Sequence, residues 1–381
     1  MLPLYEQAEK APDRMDGNTG LWYDKFCDGW CYGKQDKNEG RWTLGTKKIE
    51  WIAQLGNTRV GPQELLAEKL DRLLELNEGA GGLITCFKTC GRFVTGLGLD
   101  HPVENGFAWH HTLGVPYLPG SSIKGIVKTW AGQWRKEREA ADEILGSLSH
   151  GVGTVVFLDA VPISPVKLET DVMTPHYSQY YRGSEPPGDW LSPNPIPFLA
   201  VADGQSFAFA ILPRDPKDSE HQRHCAKAKK WLTEALDWLG AGAKTAVGYG
   251  HFEADQEATE ALQRRMEKKR ARRAEEFRLQ EQLDGLSPAA QEFEREAKQG
   301  QWDEDKNAFV SGDLIESWLE RMEAAPDEYI IRRLIKLTQT HFSGELLTNP
   351  GKLRGKKKKE KFTARQQEIA KRINALRHTN S

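Results

Sequence analysis

The sequence predicts an α+β protein: a ferredoxin-like, RRM-type module with insertions, followed by a C-terminal helical extension. Two observations lead to this prediction. Residues 83–255 alternate as strand, helix, strand, paired strands, helix and strand, which is the element order of that fold. After them, a charge-mixed segment at 256–287 predicts a helical linker, and amphipathic faces within 288–381 predict a small helical module with a basic segment.

The N-terminal region, residues 1–82, is expected to form an arm and a helix packed on the module. Residues 1–60 are rich in Trp, Gly and charge and carry few periodic runs, which predicts an irregular arm. A helix with a broad leucine face follows Gly61-Pro62 and stops at the glycines of 79–82.

The elements of the module follow from apolar runs and from turn residues. In chain order they are a strand at 83–94, a helix from Ser122 to about Ala140, a turn at 143–147, a strand at 153–161, a long loop at 166–195, paired strands at 196–201 and 205–212 joined at 202–204, a helix over about 219–239, and a last strand at 251–253. The glycine-rich segment 240–250 lies between that helix and the last strand.

Residues 240–250 hold two Gly-x-Gly pairs around a lysine, which favours a phosphate-binding loop. Glycine allows unusual backbone geometry and close approach of another molecule, with exposed amides and a cation beside them. A nucleotide-binding P-loop needs Gly before the Lys and a helix after it, but Ala243 precedes Lys244 and a strand follows. A turn without a ligand is the alternative. The candidate RNA contacts are Gly240, Gly242, Lys244, Thr245, Gly248, Tyr249 and Gly250.

A second candidate phosphate site lies where the helix after Pro119 begins. Ser121 or Ser122 can cap this helix, and the free amides of a helix N-terminus favour an anion. Lys124 adds a cation in the first turn. Simple capping explains one serine but not the whole cluster. Arg92 and His111 are weaker candidates for the same phosphate contacts.

These segments resemble the RAMP superfamily of CRISPR proteins. That family carries a loop of the form Gly-apolar-Gly, five residues, Gly-apolar-Gly before its last strand, and 240–250 match it at every glycine. Five further segments are similar to the family of sixth subunits of the Cmr (type III-B) effector complex: 18–26, 96–106, 109–110, 116–125 and 171–177. The resemblance covers roughly residues 1–255.

The resemblance implies a RAMP domain of ferredoxin-like fold in a non-catalytic, RNA-binding subunit of an antiviral ribonucleoprotein. Such a subunit caps the RAMP backbone and holds the 3′ part of the guide RNA and target duplex by sequence-independent phosphate contacts. The implied partners are the guide RNA, the target RNA, the repeated backbone subunit, the other capping RAMP subunit and the small helical subunit. No cofactor, metal or membrane is implied.

Two other functions fit the residues less well. A metal-independent ribonuclease could use His101, His110, His111 or His176 as a general base. A protein–protein adaptor would touch little RNA. The pairs Cys27/Cys31 and Cys86/Cys90 are spaced by three residues and predict core thiols rather than zinc, with Cys86 and Cys90 on the same side of a strand.

Composition sets broader limits. The net charge of −2 excludes a wholly basic nucleic-acid binder but not a local basic surface. Residues 351–381 hold eleven Lys or Arg against two Asp or Glu, so Lys356 to Lys359 and Lys361 are RNA contacts or a solvated charge run. Five cysteines without a signal peptide predict reduced thiols in a cytoplasm, and no long apolar run predicts a membrane span.

Overall fold

The computed structural model describes residues 17–32, 42–175, 177–188, 190, 193–311, 313–341 and 364–379. Contacts divide the chain into two compact units, Met1–Lys268 and Lys269–Ser381. The predicted basic segment at 356–361 and His176 lie outside the described residues. Among those that are described, no helix is both long and apolar enough to cross a membrane.

The larger sheet of the first unit is antiparallel throughout. Its strands are β4 (Leu83–Thr89), β7 (Val155–Phe157), β8 (Val161–Pro162), β11 (Ser206–Pro213) and β12 (Phe252–Ala254). Their order is β12-β4-β11-β7, and β8 also pairs with β11. The predicted strand at 153–161 is thus two short strands, interrupted around Asp159 and Ala160.

Both faces of this sheet are covered, because alternate residues of a strand point to opposite sides. Helix α3 (Gln63–Ala80) packs on Ile84 and Cys86. Helix α7 (Ser219–Trp238) packs on the other face, against Phe87 and Phe209. Both helices were predicted: α3 ends at Gly81 with φ 66°, and the Asp218 carboxylate caps α7 by accepting the Glu220 amide at 2.8 Å.

A second sheet corrects two predictions. It consists of β3 (Arg59–Val60), β9 (Val166–Met173) and β10 (Ile196–Val201), in the order β10-β9-β3. The long loop predicted at 166–195 is wrong, because its first eight residues form β9. The strand pair predicted between 196–201 and 205–212 is also wrong, because β10 pairs with β9 while β11 pairs with β4. Charged residues on the outer face of β9, such as Glu169, obscured its apolar alternation.

The buried side chain of Thr89 fixes the crossing between the two sheets. Its hydroxyl accepts the Gln205 amide at 2.9 Å and donates to the Ala202 carbonyl at 3.0 Å. Beyond Thr89 the chain leaves the larger sheet, and Phe93 exchanges two backbone hydrogen bonds with Val201 of β10. The strand predicted at 83–94 therefore ends at Thr89, and its last residues join the second sheet.

The helix predicted from Ser122 to about Ala140 is broken. Helix α4 (Gly120–Thr129) continues as a π-helical turn, Trp130–Trp134, and the positive φ of Lys136, 56°, separates it from α5 (Arg138–Leu145). The turn predicted at 143–147 is wrong because α5 extends to Leu145. Ala141, Ile144 and Leu145 are buried in the same core as Trp130.

Short elements complete the first unit. They are α1 (Thr19–Lys25), β1 (Cys31–Tyr32), β2 (Trp42–Thr43), α2 (Lys47–Ala53), β5 (Gly146–Ser147), β6 (Gly151–Val152) and α6 (Ser178–Tyr181). The arm predicted as irregular thus contains two helices. Trp22 of α1 stacks on Trp51 of α2 with a centroid distance of 4.2 Å, so aromatic packing orders this region.

The regular elements described in the second unit are all helices. Its helices after α8 (Gln256–Leu283) are α9 (Pro288–Gln299), α10 (Lys306–Ser311), α11 (Asp313–Ala324), α12 (Glu328–His341) and α13 (Ala364–Thr379). They enclose a core of their own that contains Phe293, Phe309 and Trp318. Ser287 caps α9, and the Arg333 guanidinium pairs with Glu294 at 2.8 Å.

The first part of α8 packs on the first unit. Leu262 is buried beside Leu70 and Cys86, and the Thr259 hydroxyl accepts the Cys86 amide at 2.9 Å. Arg265 pairs with Asp71 at 2.6 Å. The domain boundary at residue 255 stays a prediction, and this packing indicates that a stable first unit extends to Lys268.

We expect a chain ending at Lys268 to melt cooperatively, and a chain ending at 255 to be less stable by roughly 3 kcal/mol. The loss comes from burial of Leu262, worth about 2 kcal/mol, and from the Cys86 amide left without Thr259, about 1 kcal/mol. Urea unfolding of both chains measures this difference. Leu262→Ala in the longer chain is the control and should give most of the loss. Equal stability of the two chains would contradict the role of α8.

Candidate nucleic-acid interface

The glycine-rich loop at 240–250 connects α7 to β12 and adopts left-handed backbone at several positions. Its four glycines have φ between 70° and 94°: Gly240, Gly242, Gly248 and Gly250. Lys244 also has a positive φ, 61°, which is uncommon for a residue with a side chain. The 3₁₀ turn Thr245–Val247 follows and exposes Val247 to solvent.

Many amides of this loop donate to the protein's own carbonyls, which differs from the exposed amides that the sequence predicts. Gly250 N donates to Arg92 O and Ala243 N donates to Val94 O, each at 2.8 Å. Ala241 N donates to Gly250 O at 2.7 Å and closes the loop on itself. These bonds fix the loop to the segment that follows β4.

Steric contact explains three of the glycines. A Cβ on Gly242 would lie 2.2 Å from Val94 O, and one on Gly250 would lie 1.9 Å from Ala241 O. A Cβ on Gly240 would lie 2.9 Å from Gly250 O. Gly248 differs, because no atom lies within 4 Å of the place where its Cβ would stand. Close packing within the loop therefore explains three of its four glycines. Gly248 is the one of the four that faces open space.

Lys244 supplies the positive charge of the loop. Its Nζ lies 5.6 Å from the ring centroid of Phe198 and 5.8 Å from that of Tyr249, so two aromatic rings hold the ammonium group. The side chain is half-buried. No residue in the described part of the chain forms an ion pair with it, so its charge is not neutralised there.

Arg92 is engaged with carboxylates of β9. Its Nε lies 2.9 Å from Glu169 Oε2, and its Nη1 lies 2.5 Å from Asp171 Oδ2. The hydroxyl of Tyr249 donates to the same oxygen of Asp171. Arg92 therefore links the second sheet to the glycine-rich loop, and its charge is already balanced.

The pKa directions agree with that ion network. Burial would raise the pKa of Asp171, but the hydrogen bonds from Tyr249 and Val172 and the charge of Arg92 outweigh it and lower the pKa. The hydrogen bond from Arg92 lowers the pKa of Glu169, although burial opposes it. Both carboxylates are charged at neutral pH, so they keep Arg92 paired.

The start of α4 is partly occupied by a carboxylate. The N-cap is Pro119, and Ser121 and Ser122 lie exposed inside the first turn, so the prediction that one of them caps the helix is wrong. Instead the Gly120 amide donates to Asp159 Oδ1 at 2.7 Å. A carboxylate at a helix N-terminus is favourable, and it takes one of the donors that a phosphate would use.

Lys124 lies half-buried beside other cations. Its pKa is lowered by burial and then by the charges of Arg214 and Lys128. Lys128 pairs with Asp142 at 3.1 Å, and Arg214 donates to the Gly153 carbonyl at 2.7 Å. Among the described residues, none forms an ion pair with Lys124. Crowded cations favour an anion that would relieve their repulsion.

The loop histidines differ in environment. His101 stacks on Tyr23 with ring centroids 4.7 Å apart, and its side chain is only 5% exposed. His110 packs against Tyr117, and burial lowers its pKa, so it is uncharged at neutral pH. His111 has an exposed side chain, while its backbone carbonyl accepts a hydrogen bond from the side-chain Nδ2 of Asn18 at 2.5 Å. The first two contribute to packing, and only the His111 side chain of the three is open to solvent.

The cysteine pairs do not share one environment. Cys27 and Cys86 are buried, whereas Cys31 and Cys90 are exposed. The prediction of core thiols therefore holds for Cys27 and Cys86 but is wrong for Cys31 and Cys90, and Cys90 lies just beyond the end of β4 at Thr89. Among the described residues, Glu143, Glu220 and His224 are the group whose possible metal-ligand atoms lie within 4.8 Å of one another. This group contains no cysteine.

The structure joins some candidates and separates others. Tyr249 and Arg92 both contact Asp171, which sequence reasoning placed in a motif but assigned no role, and the Lys244 ammonium lies 5.8 Å from the Tyr249 ring. No described hydrogen bond, ion pair or ring contact joins this group to Ser121, Ser122 and Lys124. Asp159 was missed because no local pattern marks a carboxylate that caps a helix 39 residues away.

Comparisons with known proteins find similarity to one family. The model of the RAMP superfamily matches residues 86–253, which contain α4 and the glycine-rich loop. A Cmr6 subunit of the CRISPR Cmr system from Pyrococcus furiosus is 33% identical over 44% of this chain and 66% of its own length. Another, from Saccharolobus solfataricus, is 32% identical over 39% of this chain.

The chain spans 66% and 49% of these two curated relatives, which is less than two thirds of each. Among solved structures, a type III-B Cmr-β complex bound to cognate target RNA includes a chain that is similar, with 24% identity and a TM-score of 0.47. That match covers 56% of this chain and 72% of the other.

Gly242→Ala should lower the free energy of unfolding by about 2 kcal/mol more than Gly248→Ala. Both glycines have positive φ, so alanine would suffer the same backbone strain at either position. Only at Gly242 would the added Cβ also overlap a carbonyl oxygen, that of Val94. Urea unfolding of the two variants measures this difference. Equal destabilisation would mean that the loop moves away from Val94 without cost.

Proposed function

We propose that this chain, whose residues 86–253 match the RAMP superfamily, is the sixth subunit of a Cmr (type III-B CRISPR) effector complex. In this role it is a cytoplasmic protein of antiviral defence. Two relatives that are named Cmr6 support the assignment. The family match covers residues 86–253, which include both candidate phosphate sites. The residues to which we assign RNA binding therefore lie within the matched region.

The proposed fold of the RAMP domain is ferredoxin-like. Strands β4, β7, β11 and β12 with the intervening α4 and α7 follow the order strand, helix, strand, strand, helix, strand. The spatial order β12-β4-β11-β7 sets the first and third of these strands at the centre. The second sheet and the aromatic N-terminal region are insertions and additions to that plan.

The proposed activity is sequence-independent binding of RNA phosphates, and the environment of Lys244 is the observation that carries it. Arg92 is neutralised by two carboxylates, whereas Lys244 is held by two rings and has no ion pair among the described residues. A phosphate at this loop would complete its charge balance. A guide sequence varies, so contacts to the backbone rather than to bases suit this task.

The second proposed contact is the first turn of α4. Ser121 and Ser122 offer exposed hydroxyl groups, and Lys124 adds a cation without an ion pair among the described residues. Asp159 already holds the Gly120 amide, so we propose that the side chains rather than the helix terminus itself bind phosphate here. This makes the contact weaker than a free helix N-terminus would be.

The proposed place in the assembly is the end that holds the 3′ part of the guide RNA and target duplex. There the chain would adjoin the repeated backbone subunit, the other capping RAMP subunit and the small helical subunit. We propose no catalytic role, since His101 and His110 serve packing and His111 lies exposed without a described partner for its ring. A general base requires a group that orients it toward its substrate.

Lys244→Ala and Lys124→Ala should each weaken binding of single-stranded RNA, and for each variant the loss should be similar for RNAs of unrelated sequence. Each should also lower the slope of log affinity against log salt by about 0.7, because one phosphate contact is lost. Lys88→Ala is the matched control, since that ammonium is paired with Glu253 at 2.8 Å. Anisotropy titrations with two RNA sequences at several salt concentrations measure both effects. Unchanged slopes for both variants would contradict RNA binding at these sites.

His110→Ala combined with His111→Ala should leave target-RNA cleavage by the reconstituted complex intact. The reason is that the half-buried His110 ring packs against Tyr117, while no described contact holds the exposed His111 ring in a fixed orientation. A cleavage gel with complexes checked for full assembly provides the measurement. If the double variant fails to assemble, His111→Ala alone is compared. Loss of cleavage in an assembled complex would favour the ribonuclease alternative.

A further inference from the structure

The second sheet builds the aromatic environment of Lys244. Phe198 of β10 stands directly opposite Asp171 of β9, and residues paired in this way have their side chains on the same face of a sheet. That face meets the glycine-rich loop, because the Tyr249 hydroxyl donates to Asp171 and the Tyr249 ring lies 6.0 Å from the Phe198 ring. One cross-strand pair therefore places an aromatic ring and a carboxylate against the same part of the loop.

Backbone and rings together restrict the Lys244 side chain. The residue has a φ of 61°, a left-handed conformation that few residues with a side chain adopt. Its ammonium nitrogen lies 5.6 Å from the Phe198 ring centroid and 5.8 Å from that of Tyr249. A lysine that is free in solvent loses rotamer freedom when it binds a phosphate, whereas a lysine already held in place has less to lose.

Burial alone does not distinguish an aromatic from an aliphatic side chain at position 198. Phe198 is 1% exposed, and the buried residues of its cluster are Val94 and Ala200. A leucine would also bury apolar surface there. It would lack the electron-rich ring face that attracts an ammonium group. The contact with Lys244 is therefore the feature that an aromatic residue adds at this position.

We propose that Phe198 is a positioning residue of the phosphate site at Lys244. Its ring holds the ammonium group in place before RNA arrives and does not itself contact RNA. Tyr249, whose hydroxyl donates to Asp171, supplies the second ring. The inference rests on the proposed function, since it requires Lys244 to bind an RNA phosphate. It extends that function to the second sheet, which determines part of the RNA affinity through a buried residue.

The test is a double-mutant cycle in the full chain, with Phe198→Leu made both alone and together with Lys244→Ala. Anisotropy titrations of single-stranded RNA at several salt concentrations give the affinity and its salt slope. We expect Phe198→Leu alone to weaken binding about fivefold, and to leave the slope unchanged because the phosphate contact remains. In the Lys244→Ala background, the same change should leave the affinity within about twofold.

Phe209→Leu is the matched control. Phe209 is almost equally buried, at 2% exposure, and no described ring contact joins it to Lys244. Its replacement should leave RNA affinity unchanged in both backgrounds. If the Phe198→Leu chain is unfolded by circular dichroism, Phe198→Met replaces it in the same cycle with the same expected result.

Unchanged RNA affinity of Phe198→Leu, with binding still weakened by Lys244→Ala, would overturn the inference and leave the proposed function intact. An equal loss in both backgrounds would also overturn it, because Phe198 would then act through the fold rather than through Lys244. If the unaltered chain shows no salt-dependent RNA binding, the proposed function itself fails and the inference fails with it.

Discussion

The hydrogen bonds between the glycine-rich loop and residues 92–94 are the constraint on which the candidate interface depends. Gly250 N and Ala243 N donate to carbonyls directly beyond the end of β4, while Phe93 pairs with Val201 of the second sheet. The loop, the larger sheet and the second sheet therefore meet at one short stretch of chain. Without that stretch, Lys244 would have no fixed position relative to Phe198 of β10.

Charge balance separates the residues that hold the structure together from those that are available to a ligand. Arg92, Glu169 and Asp171 satisfy one another, and Tyr249 donates to the same group. Lys244 and Lys124 have no ion pair among the described residues. Burial of cations without an opposite charge is costly unless a partner arrives, and a polyanion can be that partner.

The motifs that carried the family resemblance act largely through packing. Asn18 caps α1 and donates to the His111 carbonyl, and His101 stacks on Tyr23. A Cβ on Gly96 would lie 2.4 Å from the Ala108 amide nitrogen, so this glycine permits a close turn within the motif. These motifs therefore mark a resemblance to the RAMP superfamily, but they do not by themselves indicate which residues touch RNA.

Local sequence determined the elements whose signals lie within one or two turns. Helices α3 and α7 follow from apolar periodicity and from their capping residues, Gly81 and Asp218, and the positive φ of the loop glycines follows from their spacing. Tertiary structure alone decided the rest. Arg92 finds Glu169 and Asp171 at separations of 77 and 79 residues, Asp159 reaches the Gly120 amide, and β10 pairs with β9 instead of β11. Such partners are selected by which strands become neighbours, and this depends on the burial of whole faces rather than on any short pattern in the chain.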